Sequence, residues 1–365
     1  MKKKIMALLL VLAMATTMLA ACGGGQGASG EIKASVFWYE ESDVYLSSVR
    51  AELHTALDAV GIAYDDQFAT NDQSKQIDQI KTAIAGGSNL LIVNMVTSGS
   101  SDTAQDIIDA AGDIPVIFFN RAIGTDGSDV TVLKDNATAC FIGTDAPEAG
   151  HMQGKMIGDY VVANYDNLDI NKDGKISYAM LKGDEANLEA IYRTQYGVED
   201  ANAVLKAAGK PELVYFDEKA ETKYQVDQGG AWSAKAGQEY METNFIEFNE
   251  GNNNMIELVI ANNDDMALGA IAALQNKGYN DGKGRLIPVF GVDATAAAIA
   301  EIEAGSMVNT VKQDANGMAE AIANAAKAIA EGKTPVEALA GLNDDRFSIA
   351  PDCTSKLYVA YAPYK

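Results

Sequence analysis

The stretch Asp169-Ile170-Asn171-Lys172-Asp173-Gly174-Lys175-Ile176-Ser177 carries oxygen-bearing side chains at its first, third and fifth positions and glycine at its sixth. Oxygens at that spacing converge on one point, and the glycine permits the sharp turn that brings them there. The main-chain carbonyl of Lys175 and the hydroxyl of Ser177 extend the set at positions seven and nine. This is a donor set for a hard divalent cation, and the spacing points to Ca2+. An EF-hand would close the shell with a glutamate at position twelve, but that residue is Met180. A carboxylate from elsewhere must then complete the site; a metal-free Asn/Asp/Gly turn is the plainer alternative.

A second group of polar residues stands just after apolar runs, at Asp43, Asn120, Asn263 and Asp293. Ligands of open α/β sheets bind beyond the carboxyl ends of the strands, so these are candidates for a polar ligand site. Residues of the same types also cap helices, and Asp265 and Thr295 are available for that duty. Four such positions in succession favour the ligand site.

The elements that must hold these residues alternate strand and helix. Strands are expected at 32–39, 90–94, 115–120, 176–181, 213–216, 256–261 and 287–292. Helices are expected at 44–60, around 73–85, 102–111, 147–163, 187–208, 230–241, 265–276 and 318–330. Such alternation implies parallel sheets covered by helices. Two successive sets imply an α/β protein of two doubly wound Rossmann-like lobes with a ligand buried between them. A chain of 365 residues suits two lobes better than one core.

Composition narrows the function. With 48% apolar and 22% charged residues the chain is an ordinary globular one. Its net charge of -23 argues against nucleic acid as a partner. Lys2, Lys3 and Lys4 followed by the apolar run 5–19 read as a secretory leader, too short to span a membrane comfortably. Leu19-Ala20-Ala21-Cys22 then resembles the bacterial lipobox, which makes residues 1–21 a signal peptide, Cys22 a lipidated N-terminus and 22–30 a flexible tether. Removing the three leader lysines takes the charge from -23 to -26. The two other cysteines, Cys140 and Cys353, are read as isolated thiols, with a disulfide left open.

Several motifs mislead. Gly25-Gln26-Gly27-Ala28-Ser29-Gly30 matches a dinucleotide fingerprint, but it precedes the first strand instead of following it. Gly282-Lys283-Gly284 lacks the spacing of a phosphate loop, and no Gly-x-Ser-x-Gly elbow occurs. His54 and His151 both fall in helices and read as surface or packing residues.

Taken together, Asn71-Asp72-Gln73-Ser74-Lys75-Gln76, Val116-Ile117-Phe118-Phe119-Asn120, the cation loop, Val259-Ile260-Ala261-Asn262-Asn263-Asp264 and Pro288-Val289-Phe290-Gly291-Val292-Asp293-Ala294 resemble one family. It is the galactose/glucose-binding family of periplasmic receptors that serve bacterial ABC importers. The resemblance runs from about Lys33 to Asp314 and implies the type I periplasmic binding fold with three hinge crossings. It places the lobes at 31–143 plus 314–357 and at 144–313 plus 358–365. It implies that Glu257 completes the calcium site. It also implies sugar contacts from Asp43, Tyr45, Asn120, Asn187, Glu189, Arg193, Trp232, Asn263, Asp293 and Gln313. Tyr45 stands for a stacking phenylalanine and Trp232 for the second stacking aromatic. Three positions depart: Asn187 for histidine, Glu189 for aspartate and Gln313 for asparagine.

The resulting expectation is a lipid-anchored extracytoplasmic receptor, monomeric and without catalysis. It binds D-galactose or D-glucose and delivers it to an ABC permease, with a chemoreceptor as a further candidate partner. Another sugar (a pentose, a methyl-galactoside, inositol) is the alternative in the same class. A calcium-dependent sugar enzyme using Asp43 and Glu189 is the alternative in another, and the sensor half of a transcription regulator is disfavoured by the export signal.

Overall fold

The computed structural model describes residues 32–342 and 345–364. The expected leader, Cys22 and the tether lie outside the described residues.

The first sheet contains β1 (Lys33–Trp38), β2 (Ala63–Phe68), β3 (Leu90–Val93), β4 (Val116–Phe119) and β5 (Ala139–Gly143), joined by β12 (Phe347–Ala350) and β13 (Cys353–Val359). Its order is β12-β13-β5-β4-β3-β1-β2, parallel throughout except for the β12–β13 pair. The wholly apolar, wholly buried β3 (Leu-Leu-Ile-Val) and β4 (Val-Ile-Phe-Phe) belong in its centre, where helices cover both faces. Helices Val44–Val60 and Ala315–Ala330 close one face, and helices Gln73–Ala85 and Ser101–Ala111 close the other.

The second sheet takes β6 (Ser177–Lys182), β7 (Val214–Tyr215), β8 (Gln225–Val226), β9 (Leu258–Ala261), β10 (Val289–Asp293), β11 (Asn309–Gln313) and β14 (Tyr361–Pro363). Its order is β14-β11-β10-β9-β6-β7, with β8 also paired to β6. Both of its faces are likewise packed. The chain passes between sheets three times: after β5 through Thr144 and Asp145, after β11 through Asp314, and between β13 and β14 at Ala360.

Local differences from the sequence reading have local causes. Edge strand β2 (Ala-Tyr-Asp-Asp-Gln-Phe) was not expected, because its pattern is polar. It holds because Asp65 accepts from Ser35 Oγ at 2.8 Å and Asp66 from Trp38 Nε1 at 2.7 Å. The helix expected at 230–241 runs Ala234–Glu247 instead, since Trp232 takes φ 57° and Ser233 supplies the cap. Helices Ser128–Asp135, Ala296–Ala304 and Pro335–Ala340 and strands β5 and β11 to β14 were not read from the sequence.

Cys140 and Cys353 are both buried and free, and they belong to cores on opposite faces of the first sheet. Burial pushes the Cys140 thiol up to about 12, which leaves it unreactive. His54 and His151 pair with Asp66 and Asp200, each at 2.7 Å, at or near the surface.

Candidate ligand site

The carboxyl ends of the two sheets face a common cleft. From the first lobe, Asp43 and Tyr45 enter at the start of helix Val44–Val60, and Asn120 follows β4. From the second come Asn187, Glu189 and Arg193 around helix Leu188–Ala207, with Trp232 just before helix Ala234–Glu247. Asn263 after β9, Asp293 at the end of β10 and Gln313 at the end of β11 complete the lining. All ten residues singled out in the sequence therefore share one cleft. Arg121, next to Asn120, also lines it and escaped the sequence reading.

The ambiguity between caps and ligand groups resolves differently at each strand end. Asp43 Oδ1 accepts from Leu46 N at 2.8 Å and Asn263 Oδ1 from Met266 N at 3.0 Å, so both cap helices while lining the cleft. Asn187 Oδ1 does the same for Glu189 N at 2.9 Å. Asn120 and Asp293 cap nothing; Thr295 caps the helix after β10. Asn120 (φ 60°), Trp232 (φ 57°) and Asp293 (φ 127°) have backbone angles that non-glycine residues rarely adopt. Such strain concentrates where surrounding structure fixes a functional side chain.

Arg193 organises the cleft floor. It is 2% exposed. Its Nη1 donates to Asn262 O at 2.9 Å, and its Nη2 donates to Glu189 Oε2 at 2.6 Å, Gln313 Oε1 at 2.9 Å and Tyr361 Oη at 2.8 Å. Tyr361 in turn donates to Thr144 Oγ1 at 3.1 Å, and Thr144 donates to Glu189 Oε1. The hinge crossings thus contribute to the site through Thr144 and Tyr361, which no local motif marks.

Asp293 Oδ1 stands 3.9 Å from Arg193 Nη1. Burial holds its carboxyl well above the usual range, and Arg193 pulls it back down. Burial also raises Asp43, against hydrogen bonds from Leu46 N and Tyr39 Oη. Four buried polar atoms of cleft residues have no partner among the described residues: Tyr45 Oη, Arg121 Nε, Arg193 Nε and Gln313 Nε2. Buried polar groups are nearly always satisfied, so these point to a polar ligand.

The lobes touch across the cleft. Arg121 Nη2 reaches Asp184 Oδ2 at 3.0 Å, Asn71 Nδ2 reaches Gly229 O at 2.7 Å, and Asn187 Nδ2 reaches Ser98 Oγ at 3.4 Å.

The cation loop lies on the second lobe, away from the cleft. Asp169 Oδ1 accepts from Asp173 N and Oδ2 from Gly174 N, both at 3.1 Å. Asp173 Oδ1 accepts from Lys175 N at 2.9 Å, and Ser177 Oγ donates to Met255 O at 2.6 Å. Glu257 is brought to the same loop: Oε1 accepts from Ile170 N at 2.6 Å and Oε2 from Ser177 N at 2.9 Å. Gly174 takes φ 81°, the turn that the loop requires. Among the described residues no three of His, Cys, Asp or Glu form a cluster close enough to be a metal centre by themselves.

A model of the periplasmic binding protein domain matches residues 34–334. The chain belongs to the periplasmic binding protein family. This binding protein is 30% identical over 332 residues to the D-galactose/methyl-galactoside binding periplasmic protein of Haemophilus influenzae, covering 89% of this chain and 90% of that one. It is 28% identical over 281 residues to a putative rhizopine-binding protein of Rhizobium meliloti, covering 76% of each. An ABC transporter solute binding protein from Bacillus halodurans, solved with bound myo-inositol, matches with a TM-score of 0.63 at 24% identity, over 84% of this chain and 92% of that one. That likeness concerns the fold, which is the type I periplasmic binding fold. Family membership makes this an extracytoplasmic binding protein and not an enzyme.

Proposed function

We propose that this binding protein takes an unmodified aldohexose, D-galactose or D-glucose, into its cleft and delivers it to an ABC-type sugar permease. The observation that carries the reading is the pairing of one aromatic from each lobe, Tyr45 and Trp232, around a belt of polar groups in one cleft. A pyranose offers apolar C–H faces to flat rings and a rim of hydroxyls to everything else. Asp43, Asp293 and Glu189 accept from hydroxyls, Asn120 and Asn263 donate and accept, and Arg193 donates. Bonds to the charged groups are the stronger ones. The galactose-binding Haemophilus relative supports the choice of sugar.

Ca2+ is part of the same proposal. Asp169, Asn171, Asp173, the carbonyl of Lys175, Ser177 and Glu257 are hard oxygen donors, the chemistry that calcium prefers. The ion would tie the loop to Glu257, the residue just before β9. Cys22 is proposed as the lipid-bearing terminus; loss of lipid-dependent mass in Cys22→Ser tests it.

Calorimetry on protein refolded free of sugar, with galactose, glucose, methyl-galactoside, ribose, arabinose and inositol, tests the ligand. Tight binding of galactose or glucose is expected. Tight binding of a pentose or inositol with neither hexose bound would keep the receptor and discard the hexose.

A further inference from the structure

Tyr45 presents a ring that also carries a hydroxyl, and the hydroxyl is the part that the fold leaves unanswered. The side chain is 7% exposed, and Oη is buried without a hydrogen-bond partner. A phenylalanine would cover an apolar ligand face equally well without burying an unsatisfied polar atom.

The surroundings of that hydroxyl are polar. Tyr45 belongs to the first lobe, yet Asp293, Tyr361, Glu189 and Arg193 all lie within electrostatic reach of its phenol. Each of those four sits in the second lobe, on the far side of the cleft. The other three unpartnered atoms of cleft residues, Arg121 Nε, Arg193 Nε and Gln313 Nε2, are donors only. A phenol both donates and accepts, as does a sugar hydroxyl. A single hydroxyl in this region can accept from Tyr45 or one of these donors and donate to the Asp293 carboxylate, whose contact with Arg193 at 3.9 Å is an ion pair too long for a hydrogen bond.

We propose that Tyr45 is a specificity-determining residue whose phenol hydrogen-bonds a hydroxyl of the bound monosaccharide, on the side turned toward Asp293 and Arg193. The cleft then favours a sugar bearing that hydroxyl over its deoxy counterpart. This rests on the reading of the cleft as a monosaccharide site.

Calorimetry compares wild type with Tyr45→Phe, using the hexose that binds wild type best and its analogues lacking one hydroxyl each. Tyr45→Phe should bind the parent sugar about tenfold more weakly. One analogue should bind both proteins equally, because it lacks the partner that the variant can no longer satisfy, while affinities for the others fall in parallel. If Tyr45→Phe keeps the wild-type ratio of affinities for every analogue, the phenol is only a stacking surface. The sugar-free melting temperature of Tyr45→Phe should equal or exceed that of wild type; a fall of many degrees would show that the phenol has a structural role instead. Failure of every monosaccharide to bind wild type is a separate result and removes the sugar reading itself.

Discussion

Arg121 and Asp184 belong to different lobes and meet across the cleft, Nη2 to Oδ2, at 3.0 Å. The pair is well shielded, with side-chain exposures of 5% and 18%. Arg121 is held in place from behind: its guanidinium lies 4.1 Å from the centre of the Tyr39 ring, and its Nη2 also donates to Val96 O at 3.0 Å. The contact ties one lobe to the other beside the cleft, so moving the lobes apart would break it.

Asp184→Asn should therefore loosen the closed state while leaving each lobe intact. Sugar affinity should fall about five- to tenfold, roughly 1–1.4 kcal/mol, through a faster off-rate. Stopped-flow release kinetics measure it, and an unchanged off-rate would show that the pair does not bear on closure.

Trp232 is seated against Gly183, where a Cβ would stand 2.1 Å from ring atoms Cδ2 and Cε3. Gly183→Ala should push the ring out of the cleft. Its effect on sugar binding should approach that of Trp232→Ala, about 1–3 kcal/mol by lost burial and stacking. Wild-type affinity in Gly183→Ala, by calorimetry, would mean that the ring position is immaterial.

Glu257→Gln tests the cation site from a residue 80 positions away from Ser177. Calcium affinity should drop about tenfold or more, since the carboxylate proposed to close the shell is replaced by a neutral amide. Chelation should lower the melting temperature of wild type more than that of the variant. Equal calcium affinity in both proteins would break the proposed coordination.

Asp264 lies beneath the cleft, accepting from Thr310 Oγ1 at 2.6 Å and from Thr295 N at 2.7 Å. Burial lifts its carboxyl to about 6, against the hydrogen bonds from Thr310 and Thr295. The folded chain then keeps a proton that the unfolded chain has released by about pH 4. Its stabilising effect is complete below that unfolded value and is lost as pH rises through about 6. Ligand-free protein should thus gain stability between pH 7 and pH 5, with Asp264 supplying on the order of 1–3 kcal/mol. Asp264→Asn should flatten that slope in denaturant melts; equal slopes would show that Asp264 ionises freely in the fold.

What could be read from the sequence is what neighbouring residues decide among themselves. Apolar runs such as Val116–Phe119 mark central strands because only a doubly covered sheet buries them. Asp72 and Asn187 mark helix starts because a cap bonds main-chain groups two or three residues on. The loop 169–177 is legible because its spacing is the geometry of its turn. The cleft residues came from strand-end position and family likeness, not from any contact visible in the chain. Tertiary structure alone decided the rest. It brought Glu257 to the loop and set Thr144 and Tyr361 around Arg193. It also turned Arg121 toward Asp184 and placed Cys140 and Cys353 on opposite sides of one sheet. Each of these depends on strand order and on how the lobes approach, which long-range packing fixes and local spacing does not encode. The unanswered hydroxyl of Tyr45 belongs to the same class: only the folded cleft shows that burial removed its water and supplied no partner.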